Sequence, residues 1–502
     1  MSIIRKKGKP RILVVTPEIT YLPDGMGNLA HRAGAKAGGM ADVSASLVAA
    51  LFEEGADVHV ALPHYRRMFH VEVGRLISEE LRVYQNRLAE DRVHLAEDRC
   101  FYYRERVYSR NDEENPRLAL AFQREVINNI IPVVDPDLIH CNDWMTGLIP
   151  AAARRLGIPS LFTVHNIHTH DLTLAQIEDR GIDAAEFWPN LYYKRQPINY
   201  EETRDSNPVD SLASGIFAAH FINTVSPTFL DEIVRGDHPF VPAAIRSEMT
   251  GKRLAGCASG ILNAPDASYD PSTDQALVAR YTDADHVEAK RRNKLTFQRR
   301  CGLHEDAAAP LFFWPSRLDP VQKGCELLTN ILYRTLAEYP SMQIAVVANG
   351  PHARYFHDIL QMHDLYGRLA ICNFDESLSR VGYAASDFTL MPSRFEPCGL
   401  PQMIGTIYGS LPIAHDTGGL HDTVSHMDAA AGKGTGFLFK YYDDAGLKWA
   451  IDEAMRFFAL PTDVREANVA RAMRFGKQTF NHSVCAQAYI DIYRRMLKRE
   501  LL

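Results

Sequence analysis

Short runs of β-branched and aromatic residues recur along this chain with helical segments between them, and no other feature constrains the fold as tightly. Residues 12–15, 58–62, 138–140, 161–164 and 221–225 form one set, and residues 311–314, 344–347, 371–374, 388–391 and 411–414 a second. Each run is nearly all apolar, not alternating. That is the pattern of strands covered on both faces, so the expected class is α/β with parallel sheets. At 502 residues the chain is too long for one core, and two doubly wound domains fit. The break is expected in the Gly/Ala-rich stretch 251–265, giving domains of residues 1–258 and 259–480. Segment 270–300 is polar with helical spacing and leads into the second strand set. The last helix, 484–498, carries Ala488, Ile490, Ile492 and Met496, with Arg494, Arg495 and Lys498 on other faces.

Charge narrows the partners. Against 62 acidic side chains stand 55 basic ones, a net charge of −7, so bulk charge offers nothing to nucleic acid or an anionic membrane. An anionic small ligand would need a local cationic pocket. The eight cysteines are scattered, with no C-x-x-C pair and no metal-type spacing, as for reduced thiols. Arg5, Lys6, Lys7 and Lys9 precede an apolar run, 12–15, too short for a signal-peptide core. No stretch approaches the roughly 18 apolar residues of a membrane span. A cytoplasmic protein is expected.

Glycines and cations gather where strands end. After the first strand come Lys36-Ala37-Gly38-Gly39-Met40-Ala41-Asp42-Val43 and a helix that closes at Gly55. Two glycines at a helix start either admit an anion to the backbone N–H groups, with Lys36 beside it, or make a tight turn. Arg317 and Lys323 lie in one loop after residues 311–314, as a diphosphate-neutralising pair or as solvated charges. The densest segment is Ser393-Arg394-Phe395-Glu396-Pro397-Cys398-Gly399-Leu400, where Pro401 suits the first turn of a helix. Glu396 there could touch a ligand or stabilise developing positive charge, or else cap a helix. Thr417-Gly418-Gly419 again follows a strand. Several such nests at one sheet edge suggest a nucleotide diphosphate or sugar cleft. In the first half, His140, Asp143, His165 and Asn166 stand just beyond two strands, as a site lining or as core histidines. Asp135-Pro136-Asp137 formally matches a metal-binding D-x-D pattern and more simply makes the turn into a strand.

These strings, with Asn223-Thr224-Val225-Ser226-Pro227 and Gly260-Ile261-Leu262-Asn263, resemble bacterial glycogen synthases and plant starch synthases over about residues 11–440. The resemblance implies a GT-B architecture: two Rossmann-like domains facing across a cleft, with residues 481–502 a terminal helix packing back on the first. It also implies retaining transfer of glucose from ADP-glucose to the 4-hydroxyl at the non-reducing end of an α-1,4-glucan. By the same resemblance Lys36, Gly38, Gly39, Arg317, Lys323, Cys398, Gly399, Leu400, Thr417, Gly418 and Gly419 serve the donor, and Phe374 stacks on the base. Glu396, Asp143 and His165 are the catalytic set, and Asn166 and Trp144 lie on the glucose and acceptor side. Neither a metal nor another cofactor is expected.

Such a transfer passes through an oxocarbenium-like state. Arg317 and Lys323 would stabilise the leaving diphosphate and Glu396 the cationic ring. Retention by same-face attack and by a covalent intermediate on Glu396 both remain open. The chain departs from the family at Asn142 and Met145, where histidines are usual, at Ile167-His168-Thr169-His170, where aromatic-Gln-Gly is usual, and at Ala264-Pro265. Most departures fall on the acceptor side, which leaves a GT-B enzyme with a smaller acceptor as the second reading. An oxidoreductase would need the missing G-x-G-x-x-G.

Overall fold

A computed structural model describes residues 8–27, 30, 32–69 and 91–501, so the basic Arg5, Lys6 and Lys7 lie outside the described residues. The chain forms two compact units. One is Met1–Val225 with Leu230–Ile261 and His482–Leu502; the other is Ser226–Phe229 with Leu262–Asn481. No helix of the described residues is long and apolar enough to cross a membrane.

In the first unit the strands are β1 (Arg11–Val15), β2 (Asp57–Pro63), β3 (Val93–Ala96), β4 (Leu138–Asn142), β5 (Ser160–Val164), β6 (Asp171–Leu172), β7 (Val209–Asp210), β8 (Phe221–Thr224) and β9 (Ala258–Gly260). All but β6 and β7 join one parallel sheet in the order β3-β2-β1-β4-β5-β8-β9. Strands β6 and β7 pair antiparallel beside it. In the second unit β10 (Leu311–Trp314), β11 (Gln343–Val347), β12 (Leu369–Cys372), β13 (Phe388–Met391), β14 (Leu411–His415) and β15 (Phe437–Phe439) form a parallel sheet in the order β12-β11-β10-β13-β14-β15. The central strands are buried throughout, β4, β5, β10 and β13 at every position, which is why their sequences read as unbroken apolar runs.

Each order reverses once, at β1/β4 in the first sheet and at β10/β13 in the second. At such a point the connections leave neighbouring strands in opposite directions. Their carboxyl ends then open a crevice where α/β proteins bind ligands.

Three sequence expectations shift. The strand read at 371–374 is β12 and stops at Cys372, leaving Phe374 in the following loop. The helix read over 270–300 is confined to His286–Cys301, because aspartates before it cap turns instead. Asp270 Oδ1 accepts from Ser272 N, and Asp274 Oδ1 from Ala276 N. The short strands β3, β9 and β15 were not anticipated; Ala-Ser-Gly at β9 carries no strand signal at all.

The final helix, His482–Leu497, buries Cys485, Ala486, Tyr489, Ile490, Ile492 and Tyr493 and packs on helix Gly39–Glu53 of the first unit. Its tyrosines reach the sheet. Tyr493 Oη lies 2.7 Å from His140 Nδ1, and Tyr489 Oη accepts from Asn223 Nδ2 at 3.1 Å. His140 is thus a core histidine, its other nitrogen 2.6 Å from the Thr163 hydroxyl. Asp135-Pro136-Asp137 makes the turn into β4: Asp135 adopts a left-handed conformation, and Asp137 accepts from Arg11 N at 2.9 Å. All eight cysteines are free thiols.

Candidate functional site

In the first unit β1 delivers Thr16, Pro17 and Glu18 to the switch point. Glu18 is buried, and its Oε2 accepts from Ala37 N at 2.5 Å and Gly38 N at 2.9 Å. The anion held by this glycine turn is therefore the protein's own carboxylate. Burial drives the pKa of Glu18 upward against those two hydrogen bonds. Gly39 opens the following helix, whose N-terminus carries no side-chain cap. Lys36 Nζ lies 2.9 Å from Asp42 Oδ2, with its side chain 46% exposed at the rim.

Across the same switch point, β4 ends at Asn142 and the backbone turns sharply. Asp143 has φ 59° and ψ 179°, a conformation rare outside glycine that costs on the order of 1–3 kcal/mol and collects at functional sites. Its Oδ1 accepts from His165 N at 2.8 Å and Asn166 N at 3.4 Å, tying the end of β4 to the end of β5. Burial pushes the Asp143 carboxyl up to about 7. His165 Nε2 donates to Asn142 Oδ1 at 2.9 Å, while Asn142 Nδ2 donates to Val15 O at 3.1 Å. Asn142, where the family has histidine, thus fixes the His165 tautomer. Burial holds that imidazole neutral, its pKa down at about 3. Trp144 is buried, and Asn166 is exposed at the edge.

In the second unit the loops after β10 and β13 are stitched together. Arg394 N donates to Gln322 O at 2.8 Å. Gly324, with φ +72°, lies so close to Pro392 that an added Cβ would stand 1.9 Å from its carbonyl oxygen. This approach sets Lys323 Nζ 2.5 Å from Glu396 Oε2, which also accepts from Ser393 Oγ at 2.9 Å. Gly419 N donates to Glu396 O at 2.9 Å, and a Cβ on Gly419 would meet Cys398 O at 2.1 Å, so the 417–419 turn packs directly on the Glu396 loop. Cys398, Thr417, Gly418 and Gly419 are buried in this contact; Gly399 turns with φ +74°, and Leu400 is the N-cap of helix Pro401–Ile407. Arg317 is exposed and makes no side-chain hydrogen bond or ion pair among the described residues. Phe374, 55% exposed, follows β12 with its N–H on Asn349 Oδ1 at 3.1 Å.

The residues singled out in the sequence therefore gather at two carboxyl edges, each described within its own unit. One holds Lys36, Gly38, Gly39, Asp143, Trp144, His165 and Asn166; the other holds Arg317, Lys323, Phe374, Glu396, Cys398, Gly399, Leu400, Thr417, Gly418 and Gly419. Of the two cations read as a diphosphate-neutralising set, Lys323 is held by Glu396 and Arg317 is exposed to solvent. Glu18 and Gly324 were not singled out in the sequence, and Asn142 and Ser393 were named there only as a departure from the family and as part of a longer string. Only Glu18 carried a local signal, an acid directly after a buried strand and a proline. A cavity of about 680 Å³ lies instead at the amino edge of the second sheet, lined by Lys290, Lys294, Asp387 and Phe458. There Lys290 donates to three backbone carbonyls and Lys294 to Asp387, contacts that tie the lining to the sheet.

A family profile described as the starch synthase catalytic domain matches residues 11–241. The glycogen synthase of Alkaliphilus metalliredigens is 32% identical, covering 92% of this chain and 97% of its own length. That of Moorella thermoacetica is 31% identical over 97% of each. Among solved structures, the catalytic domain of starch synthase IV from Arabidopsis thaliana, bound to ADP and acarbose, matches with a TM-score of 0.78 at 25% identity, covering 98% of this chain and 100% of that one. The sucrose-phosphate synthase of Thermosynechococcus elongatus, at 18% identity and a TM-score of 0.59 over 98% of this chain and 100% of its own, shares the fold alone.

Proposed function

The chain belongs to the glycogen synthase and starch synthase family of glycosyltransferases, with the GT-B fold of two Rossmann-like units, and from that premise we propose that it transfers glucose with retention from ADP-glucose to the non-reducing end of an α-1,4-glucan. One observation carries the reading: a buried carboxylate, Glu396, held by Lys323 and Ser393 at the switch point of the second sheet, between two glycine-built turns.

The chemistry follows from charge. As the bond from the sugar to the diphosphate breaks, negative charge grows on the leaving group and positive charge on the ring. Arg317, unpaired and exposed, meets the diphosphate together with the Lys323 ammonium, so neutralisation needs no metal at the phosphates. Glu396 faces the developing cation. Its tight pairing with Lys323 dampens its nucleophilicity and favours the electrostatic role over a covalent one. Phe374, exposed beyond β12, offers a face for the adenine ring. In the first unit neutral His165 and the strained Asp143 present hydrogen-bonding groups to sugar hydroxyls, with Asn166 beside them. The enzyme works in the cytoplasm in this reading.

The test is a donor-by-acceptor matrix. Purified protein with ADP-glucose and glycogen should release ADP and lengthen the glucan. Nucleotide release only with a small sugar, or none with any glucan, would overturn the proposal.

A further inference from the structure

The chain's departure at Ile167-His168-Thr169-His170 builds something of its own. Thr169 is pinned on one side of the strand entering β6: its hydroxyl donates to Asp210 Oδ1 at 2.6 Å and accepts from Leu212 N at 3.0 Å. Side chains alternate along an extended chain, so His168 and His170 project together from the opposite side. The His170 carbonyl accepts from Ser211 N at 3.0 Å and Ser211 Oγ at 2.9 Å, which fixes the backbone beneath them. The Trp144 ring packs against both imidazoles, with centroids 5.5 Å and 4.5 Å away. Asp112, first residue of the short helical turn Asp112–Glu114, comes in from another part of the chain and is oriented by Asn115 Nδ2 at 3.1 Å.

The donor atoms converge. His168 Nε2 and His170 Nε2 are 3.1 Å apart, His170 Nε2 and Asp112 Oδ1 are 3.5 Å apart, and all three ligand atoms lie within 4.8 Å of one another. A tetrahedral ion with bonds of roughly 2.0–2.1 Å requires ligand-to-ligand edges of about 3.3 Å. One shared proton between the rings would explain the first contact but leave the carboxylate without a role. We propose that Asp112, His168 and His170 bind one divalent transition-metal ion of the zinc class. Two imidazoles and a carboxylate select such an ion over magnesium or calcium, which prefer oxygen ligands throughout. Asn115 is the supporting group that aims the carboxylate. Three protein ligands leave a fourth position for water or a ligand hydroxyl. The ion sits apart from the phosphate chemistry, on the loop that follows His165 and Asn166, and pins that loop to the Asp112 turn.

The experiment uses the full chain, stripped with a chelator and dialysed against zinc, and separately against cobalt(II), whose visible spectrum reports tetrahedral coordination. One zinc per chain and an intense cobalt band are expected. Asp112→Asn should weaken binding by at least about tenfold, and the His168→Ala/His170→Ala double variant should abolish it. His168→Gln, a mild change at an exposed position, repeats the test if the double variant melts early. Substoichiometric zinc overturns the proposal, and so does binding that these variants leave intact, since the chain has 20 histidines. Metal content is read independently of glucose transfer, so failure here leaves the proposed function standing.

Discussion

Lys323 Nζ and Glu396 Oε2, 73 residues apart in sequence, lie 2.5 Å from each other with side chains only 12% and 6% exposed. Two charges this far out of water depend on each other. Glu396→Gln keeps the shape and a hydrogen-bonding oxygen for Ser393 but removes the negative charge. Turnover is expected to fall by on the order of a thousandfold, with circular dichroism unchanged. Turnover near that of the wild type would take Glu396 out of the mechanism.

Arg317 and Lys323 should separate when each is replaced by alanine. Arg317→Ala removes an exposed side chain without partners, so stability should stay within about 0.5 kcal/mol while the donor KM rises roughly tenfold. Lys323→Ala strands a buried carboxylate and should cost about 3–5 kcal/mol of stability, alongside a loss of kcat. Denaturant titrations and steady-state kinetics on both variants check the contrast. Equal stability losses would mean that Arg317 is held by a partner.

Gly324 tests whether backbone approach sets the site. A Cβ there would meet the Pro392 carbonyl oxygen at 1.9 Å from a backbone at φ +72°. Gly324→Ala should destabilise by about 2–4 kcal/mol and also lower kcat, because Lys323 moves with its neighbour. Destabilisation with kcat intact would show that the loop re-forms around the methyl group.

His140 gives a pH signature. Burial holds its pKa down at about 3, against 6.5 when unfolded. Between those values the unfolded chain takes a proton that the folded chain refuses, so stability is lost as pH falls, by about 1.4 kcal/mol per pH unit. His165, also at about 3, adds to the loss. Asp143, raised to about 7 from 3.8, works the other way: the folded state takes up its proton first, so acidification favours folding through that window. Glu18, likewise raised by burial, acts in the same direction as Asp143, so the His140 contribution is read from the difference between variant and wild type. Melting curves from pH 7 to pH 4 should show a shallower decline for His140→Gln than for the wild type. Parallel curves would exclude His140 as a contributor.

Where physics is local, the sequence announces it. Strands β1, β4, β5, β10, β13 and β14 appear as apolar runs because both faces are buried. The Gly418-Gly419 pair marks a helix start where Gly418 has φ 47° and a Cβ on Gly419 would meet Cys398 O at 2.1 Å, whereas Gly38 begins its helix in extended backbone with nothing nearer its missing Cβ than 3.8 Å. Asp270 and Asp274 misled because their side chains stop a helix by bonding backbone two residues on, a choice invisible in polarity alone. The site partnerships were harder to see. Glu18 with Gly38, Asn142 with His165, and Lys323 with Glu396 each join distant segments, and charge type alone grouped Lys323 with Arg317 around a diphosphate without showing the carboxylate that holds it.

The terminal helix has a consequence for how the molecule is made. Residues His482–Leu502 complete a unit whose other parts end at Ile261, with the whole of Leu262–Asn481 translated in between. On the ribosome the second unit can collapse as soon as it emerges, while the first sheet waits, its His140 and Asn223 still without Tyr493 and Tyr489. A premature stop codon near the end of the message, or proteolytic trimming of the tail, would therefore damage the half of the protein that was synthesised first.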